Sequence, residues 1–476
     1  MKHLIITAAV LWALFQITGM FWSPKGALPS GGFARLSEAP QLSINNPYHN
    51  GYFYLFGLTA AAPLDPAKIG YEIWVEEFDG SNHANEVENR PGRSELSFTI
   101  SPEFSSPSWQ SDEPLTEFRK QQASLRAAMG EHQILLTRYE HWLGMPFEDW
   151  GFGHRATPRY QAIMAVHRLY IIEGFSFGIT EGLDRLRKEL LFWRGVLREA
   201  KTIETKMFSQ VLISDDLSFL SRILAKPTVD KVFLTMGLQL TLPLSESEYS
   251  LRWPIRNQLA LAVKEGRAGR ITKDSRSEQA KANEEWLLTS ANLPLQAFER
   301  IEHPLARTWF GLTLQSAQAW ETYAAYYDAL ISASENGAKH LPAMRDVTGT
   351  LQRGMIENLL NPYPVEPDWE TFHRKLMETD TRLRLASLQI QLRHPSAQSA
   401  VPTRLAQVGS QYFDPFSGLP MLWSPTQQKL YSVGKDRLDD GGDPTFDISV
   451  PAIVAATQTA ANEMGQSFRS PRSTRQ

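Results

Sequence analysis

The chain has 476 residues and a formal net charge of −4, with hydrophobic residues at 42% and charged residues at 21%. This composition excludes disordered and collagen-like classes, and the length leaves room for two or three domains. The mild acidity supplies no concentrated basic surface, so no nucleic-acid partner is expected. No cysteine is present, which excludes disulfides, thiolate metal sites and cysteine nucleophiles.

Leu4 to Trp22 is a run of nineteen residues without charge. As a helix it would extend about 28 Å, close to the thickness of a bilayer's hydrocarbon core. Phe21 and Trp22 sit at its far end, where aromatic rings favour the membrane interface. Lys2 precedes it and Ser23-Pro24-Lys25-Gly26 ends it. A signal anchor, a cleaved signal peptide and a buried core helix all remain open, and the length of the run favours the anchor. The expectation is an N-terminal transmembrane helix over 1–22, single-pass in the inner membrane, with the remainder in the periplasm.

Residues 23–50 are rich in Gly, Pro, Ser and Asn and read as a tether. Residues 51–80 form an aromatic stretch, expected as a strand and a short helix. Residues 81–113 are polar and lack periodicity, so 51–113 is taken as an aromatic subdomain with a loop. From 114 to 410 the pattern is helical. Thr157-Pro158 predicts a helix start and Gly174 its stop. Leu183, Leu186, Leu190, Trp193, Leu197 and Ala200 recur at spacings of three and four, an apolar seam opposite a basic face. Ser214-Asp215-Asp216 predicts a new helix start, and Pro227 an end. Further helices are expected near 246–265, 275–290, 312–335 and 368–393. Antiparallel helix pairs could stack in a helical-repeat-like array or form an irregular domain. The fold class is therefore mainly α, a membrane helix and a helical soluble domain followed by a small C-terminal β-hairpin module over 411–450 and a tail over 451–476.

Gly174-Phe175-Ser176-Phe177-Gly178 matches G-x-S-x-G, the nucleophile elbow of α/β-hydrolases. The elbow needs a strand before Ser176 and a helix after it. A glycine-flanked turn between helices is the better account. A hydrolase would need Asp184 and one of His303, His340, His373 or His394 to complete a triad. The eleven histidines are scattered, and none lies three or four residues from another. H-E-x-x-H and a phosphate-binding glycine loop are absent.

Toward the end, strands around Met421–Trp423 and Lys429–Val433 are expected to pair. Asp436, Asp439, Asp440, Asp443 and Asp447 follow within twelve residues. Such a cluster is either a solvated loop or an oxygen-rich cation site. Asp414-Pro415-Phe416-Ser417-Gly418-Leu419-Pro420, then Leu430-Tyr431-Ser432-Val433-Gly434-Lys435-Asp436 and the acidic tail, resemble the C-terminal end of the type II secretion major pseudopilins. That resemblance covers residues 412–448 and implies Ca²⁺ bound by Asp436, Asp439, Asp440 and Asp447, with carbonyls near Leu430 and Ser432. The pseudopilin order of a Gly-Phe motif before the membrane helix is reversed here, since Gly32-Phe33 follows the apolar run. The middle of the chain is similar to uncharacterised proteobacterial proteins with one N-terminal membrane segment, a likeness that implies no activity. The function expected from the sequence is a non-enzymatic envelope protein whose helical body binds another envelope protein or peptide. A serine hydrolase using Ser176 is the alternative.

Overall fold

The computed structural model describes residues 31–78, 96, 111, 113–154, 157–226, 231–267, 317–343, 368–393 and 400–452. The first helices among these are α1 (Gly31–Ser37), α2 (Gly51–Phe56), α3 (Pro66–Phe78), α4 (Pro114–Lys120), α5 (Gln122–Glu131) and α6 (Gln133–Trp142). The central ones are α7 (Tyr160–Phe177), α8 (Ile179–Glu199), α9 (Ile203–Leu224), α10 (Lys231–Leu240), α11 (Glu246–Tyr249) and α12 (Arg252–Arg267). Then come α13 (Ala317–Glu335), α14 (Trp369–Leu392) and α15 (Val401–Gln407), followed by strands β1 (Leu422–Ser424), β2 (Lys429–Ser432) and β3 (Ile448–Pro451).

Three long helices, α7, α8 and α9, run in succession and pack each on the next. The seam read from the sequence is the buried face of α8: Leu183, Leu186, Leu190, Trp193 and Leu197 all lie in the main core. Thr202 caps α9, its side chain accepting from the Thr205 amide. Asp368 caps α14 in the same way, accepting from the Thr371 amide at 3.0 Å, so that helix starts where the sequence predicted. α14 packs along α9 and also touches β2 and β3. A repeat array contacts only its neighbours. Here the Gln210 amide on α9 donates 2.8 Å to Thr379 on α14, 169 positions away, so the helical body is irregular rather than repeat-like.

Several expectations change. α7 starts at Tyr160 and runs through Gly174 to Phe177. Glycine weakens a helix by only about 1 kcal/mol, which burial along both flanks outweighs. α9 starts at Ile203, so Ser214-Asp215-Asp216 lies mid-helix rather than at a cap. The aromatic stretch 51–80 forms the two helices α2 and α3, with no strand. The Asn50 side chain caps α2 by accepting from the Tyr52 amide, and Phe53 packs edge-on against Tyr71, Trp74 and Trp150. α2 and α3 touch through Gly57 and Gly70: a Cβ on Gly70 would stand 1.8 Å from the Phe53 carbonyl oxygen. Part of the expected tether is packed as well. Leu36 is in the main core, and Glu148 receives the amides of Ser43 and Ile44.

The membrane component of the fold class is corrected. Among the described residues no helix is long and apolar enough to cross a membrane. The most apolar long helix, α7, is interrupted by His167, Arg168 and Glu173, and charges at mid-span oppose insertion. Leu4–Trp22 lies outside the described residues. The signal anchor and the single-pass, inner-membrane, periplasm-facing placement are therefore withdrawn, and the mainly-α reading is kept.

At the C-terminal end β1 and β2 pair with Trp423 opposite Leu430, the hairpin expected from the sequence. A third strand, β3, adds to β2 with Leu430 opposite Val450. This sheet covers a second small core of Leu385, Leu388, Leu392, Leu405, Met421, Leu430 and Val450.

Candidate metal centre

The middle of the three-helix unit holds a cluster of ionisable groups that an apolar core would not tolerate unpaired. α7 contributes His167, α8 contributes Glu189 and α9 contributes Asp216, each at 0% exposure. One ligand atom from each lies within 4.8 Å of the others, a spacing that fits a metal ion. The imidazole Nδ1–H donates to Glu189 Oε1 at 2.7 Å; a carboxylate acceptor fixes the proton on that nitrogen. Nε2 faces α9, 3.5 Å from Asp215 Oδ2 and 3.7 Å from Asp216 Oδ1.

The surroundings fix this geometry. Tyr139 on α6 donates its hydroxyl to Glu189 Oε1 and accepts from Trp193 Nε1 at 3.1 Å. Asp215 accepts a forked pair of bonds from Arg168, Nε at 2.8 Å and Nη2 at 2.9 Å. Neither Asp216 oxygen has a protein hydrogen-bond partner, and Glu189 Oε2 has none either. A buried carboxyl in that condition is destabilising by about 1–3 kcal/mol or more.

The charges respond to one another. Burial alone would lower the His167 imidazole, but the carboxylates of Glu189 and Asp216 outweigh it and raise its pKa to about 10. Burial pushes the Asp216 carboxyl well above the usual range, and Glu189 and Asp215 push it further against the opposing pull of His167. Burial also works against Asp215, yet bonds from His167 and Arg168 hold it below the ordinary carboxylate value. One imidazole nitrogen and two or three carboxylates, without sulfur, suit a first-row transition dication better than the all-oxygen site that Ca²⁺ favours.

No family model, curated protein or solved structure matches this chain.

The residues singled out in the sequence lie elsewhere. Ser176 sits in the last turn of α7, and its Oγ donates to the Glu173 carbonyl at 2.7 Å. The residues before it are the helix α7 itself, so the strand–turn–helix of a nucleophile elbow is not formed. Asp184 accepts from Arg187 at the surface, His340 pairs with Glu370 and His373 donates to the Ala338 carbonyl. His303 and His394 lie outside the described residues. In the acidic loop, Asp436 accepts from the Leu438 amide, and Asp439 from the Gly441 amide and the Tyr431 hydroxyl. Asp443 accepts from Thr445 and Asp447 from Gly442 at 2.7 Å. Asp440 offers its backbone carbonyl to the Asp443 amide. Among the described residues, the group of carboxylates and histidines that converges as metal ligands do is the one at His167.

The sequence held two signals for this centre: a histidine and an adjacent Asp pair inside runs that otherwise read as core. Each has an ordinary local explanation: a lone histidine is common in a core, and Ser214-Asp215-Asp216 matches a helix start. No local spacing joins ligands carried by three helices.

Proposed function

We propose that the protein binds one divalent transition-metal ion between α7, α8 and α9, and that the ion staples these helices together. The observation that carries this reading is Asp216, fully buried beside His167 with both oxygens lacking a hydrogen-bond partner. A dication uses those lone pairs and offsets the repulsion between the Glu189 and Asp216 carboxylates. Closed sites of this kind serve structure, whereas catalytic sites keep a coordination position open. Three donors at 0% exposure therefore favour a stapling role over hydrolysis.

The test uses the full chain, analysed for metal after purification and after stripping with a chelator. The expected result is about one equivalent of Mn, Fe, Co or Zn, with re-addition raising thermal stability. An ion at one hundred times its dissociation constant contributes about 2.7 kcal/mol. His167→Gln should abolish both effects. A purified chain without stoichiometric metal, whose melting ignores all four ions, would show that the cluster is only a buried ion network.

A partner-docking role for the helical body is a second proposal. It is supported by Phe177, 71% exposed at the α7–α8 turn beside the partly exposed Ile179. Phe177→Ser should abolish co-purification of a native partner while leaving the fold intact, and an unchanged interaction would remove that support.

A further inference from the structure

Three of the donors are sealed from solvent, so a cation needs a route to them. Asp215 and Arg168 stand where the cluster meets the surface. Their side chains are 15% and 14% exposed, against 0% for His167 and Asp216. We infer that the Arg168–Asp215 ion pair is the gate of the metal centre: Asp215 leaves Arg168 to bind the incoming dication, so the guanidinium and the metal compete for one carboxylate. This inference rests on the proposed metal centre and concerns how that centre fills.

Asp215 Oδ2 faces two groups at once. It accepts from Arg168 Nε at 2.8 Å and stands 3.5 Å from His167 Nε2. Donors bound to one ion at about 2.0–2.2 Å lie roughly 3–3.5 Å apart. The separations of 3.5 Å to Asp215 and 3.7 Å to Asp216 from the same nitrogen therefore need little adjustment to become edges of a coordination sphere. Glu189 Oε1 keeps its bond to Nδ1–H and orients the ring, as a carboxylate does for many metal-bound histidines, while its Oε2, which has no hydrogen-bond partner, is left for the ion. The planar guanidinium matches the Asp215 carboxylate with a fork and places a permanent positive charge beside the access side. An approaching dication is repelled until Asp215 rotates toward it. Coordination at Nε2 releases the imidazole proton there to solvent, and the gate is set by the competition of guanidinium and metal for the Asp215 carboxylate.

The experiment follows uptake of Co²⁺ by its visible absorption, and of Zn²⁺ by competition with a chromophoric chelator, in stopped flow with stripped full-length chain. Arg168→Gln is expected to take up Co²⁺ at least tenfold faster than wild type and to bind it at least threefold tighter. Arg168→Lys keeps the charge without the fork and is expected to fall between the two. In an Asp215→Asn background the Arg168→Gln change should have no effect on rate or affinity. A purely structural tie between α7 and α9 would instead weaken binding when cut. Should Arg168→Gln fail to fold by circular dichroism, Arg168→Lys alone decides, and a wild-type rate for it overturns the gate. Wild-type uptake with unaltered Arg168→Gln kinetics, or an equal gain in the Asp215→Asn background, also overturns the gate while leaving the centre standing. A wild-type chain that binds neither ion sinks both.

Discussion

The indole N–H of Trp193 donates to the hydroxyl oxygen of Tyr139 at 3.1 Å, with both side chains at 0% exposure. That bond occupies an acceptor position on the phenol and turns its O–H toward Glu189, which in turn holds His167. Tyr139→Phe keeps the ring but removes the donor to a charged acceptor and strands the Trp193 N–H. The expected loss is about 2–4 kcal/mol in urea unfolding, with metal affinity lowered about tenfold or more. Unchanged affinity would show that Tyr139 does not orient the cluster.

Asp216→Asn separates a metal centre from an ion network. The amide is close in shape but carries no charge, so the metal-dependent gain in stability should vanish. Without metal, the variant should be as stable as wild type or more so by up to about 1 kcal/mol, because an ionisable group with no hydrogen-bond partner, beside two other carboxylates, has been removed from the core. The readout is urea unfolding with and without Zn²⁺. A metal-free loss of several kcal/mol would mean that Asp216 is a needed member of the ion network.

Lys206 gives a pH signature. It lies at 1% exposure on α9 and donates to the Leu197 carbonyl at 2.9 Å. Burial lowers its pKa to about 7, against an opposing pull from Glu248 and Glu199. Between pH 7 and the unfolded value near 10.5 the folded chain holds this amine neutral while the unfolded chain holds it charged. The unfolded state then binds more protons, so stability rises with pH across that window, by at most about 1.4 kcal/mol per unit. It levels off above the window. Lys206→Met should lack this rise, and identical pH profiles for the two proteins would contradict the lowered pKa.

Gly70→Ala tests the contact between α2 and α3. Its Cβ would meet the Phe53 carbonyl oxygen at 1.8 Å, and Gly57 faces a similar contact with Pro66 at 2.0 Å. Both obstacles are backbone, which cannot swing aside. The two helices must part, and a loss of about 2–4 kcal/mol is expected by denaturant unfolding. A wild-type midpoint would show that the helix pair has slack.

What could be read from residues alone follows from how local each signal is. α8 and α14 were legible because an apolar seam and an Asp cap announce them within one helix. The hairpin was legible from two short apolar runs around a turn, but β3 was not, since only β2 gives it a partner. Ser214-Asp215-Asp216 misled for a physical reason: Ser and Asp favour helix starts when exposed, and tertiary burial overrides that preference here. The metal centre was illegible because Glu189 follows His167 by 22 positions and Asp216 lies on the next helix again. Only packing brings them together.

The place of α14 in the chain has a consequence for synthesis. Its residues 369–392 cover α9, emerge far later, and are bonded back to it by Gln389 to the Ser221 carbonyl across 168 positions. While a ribosome is still making the segment between them, the oily flank of α9 has no cover. Closing a loop of that length is slow relative to neighbouring helix contacts. Nascent chains halted before residue 369 should therefore be the ones that chaperones hold longest.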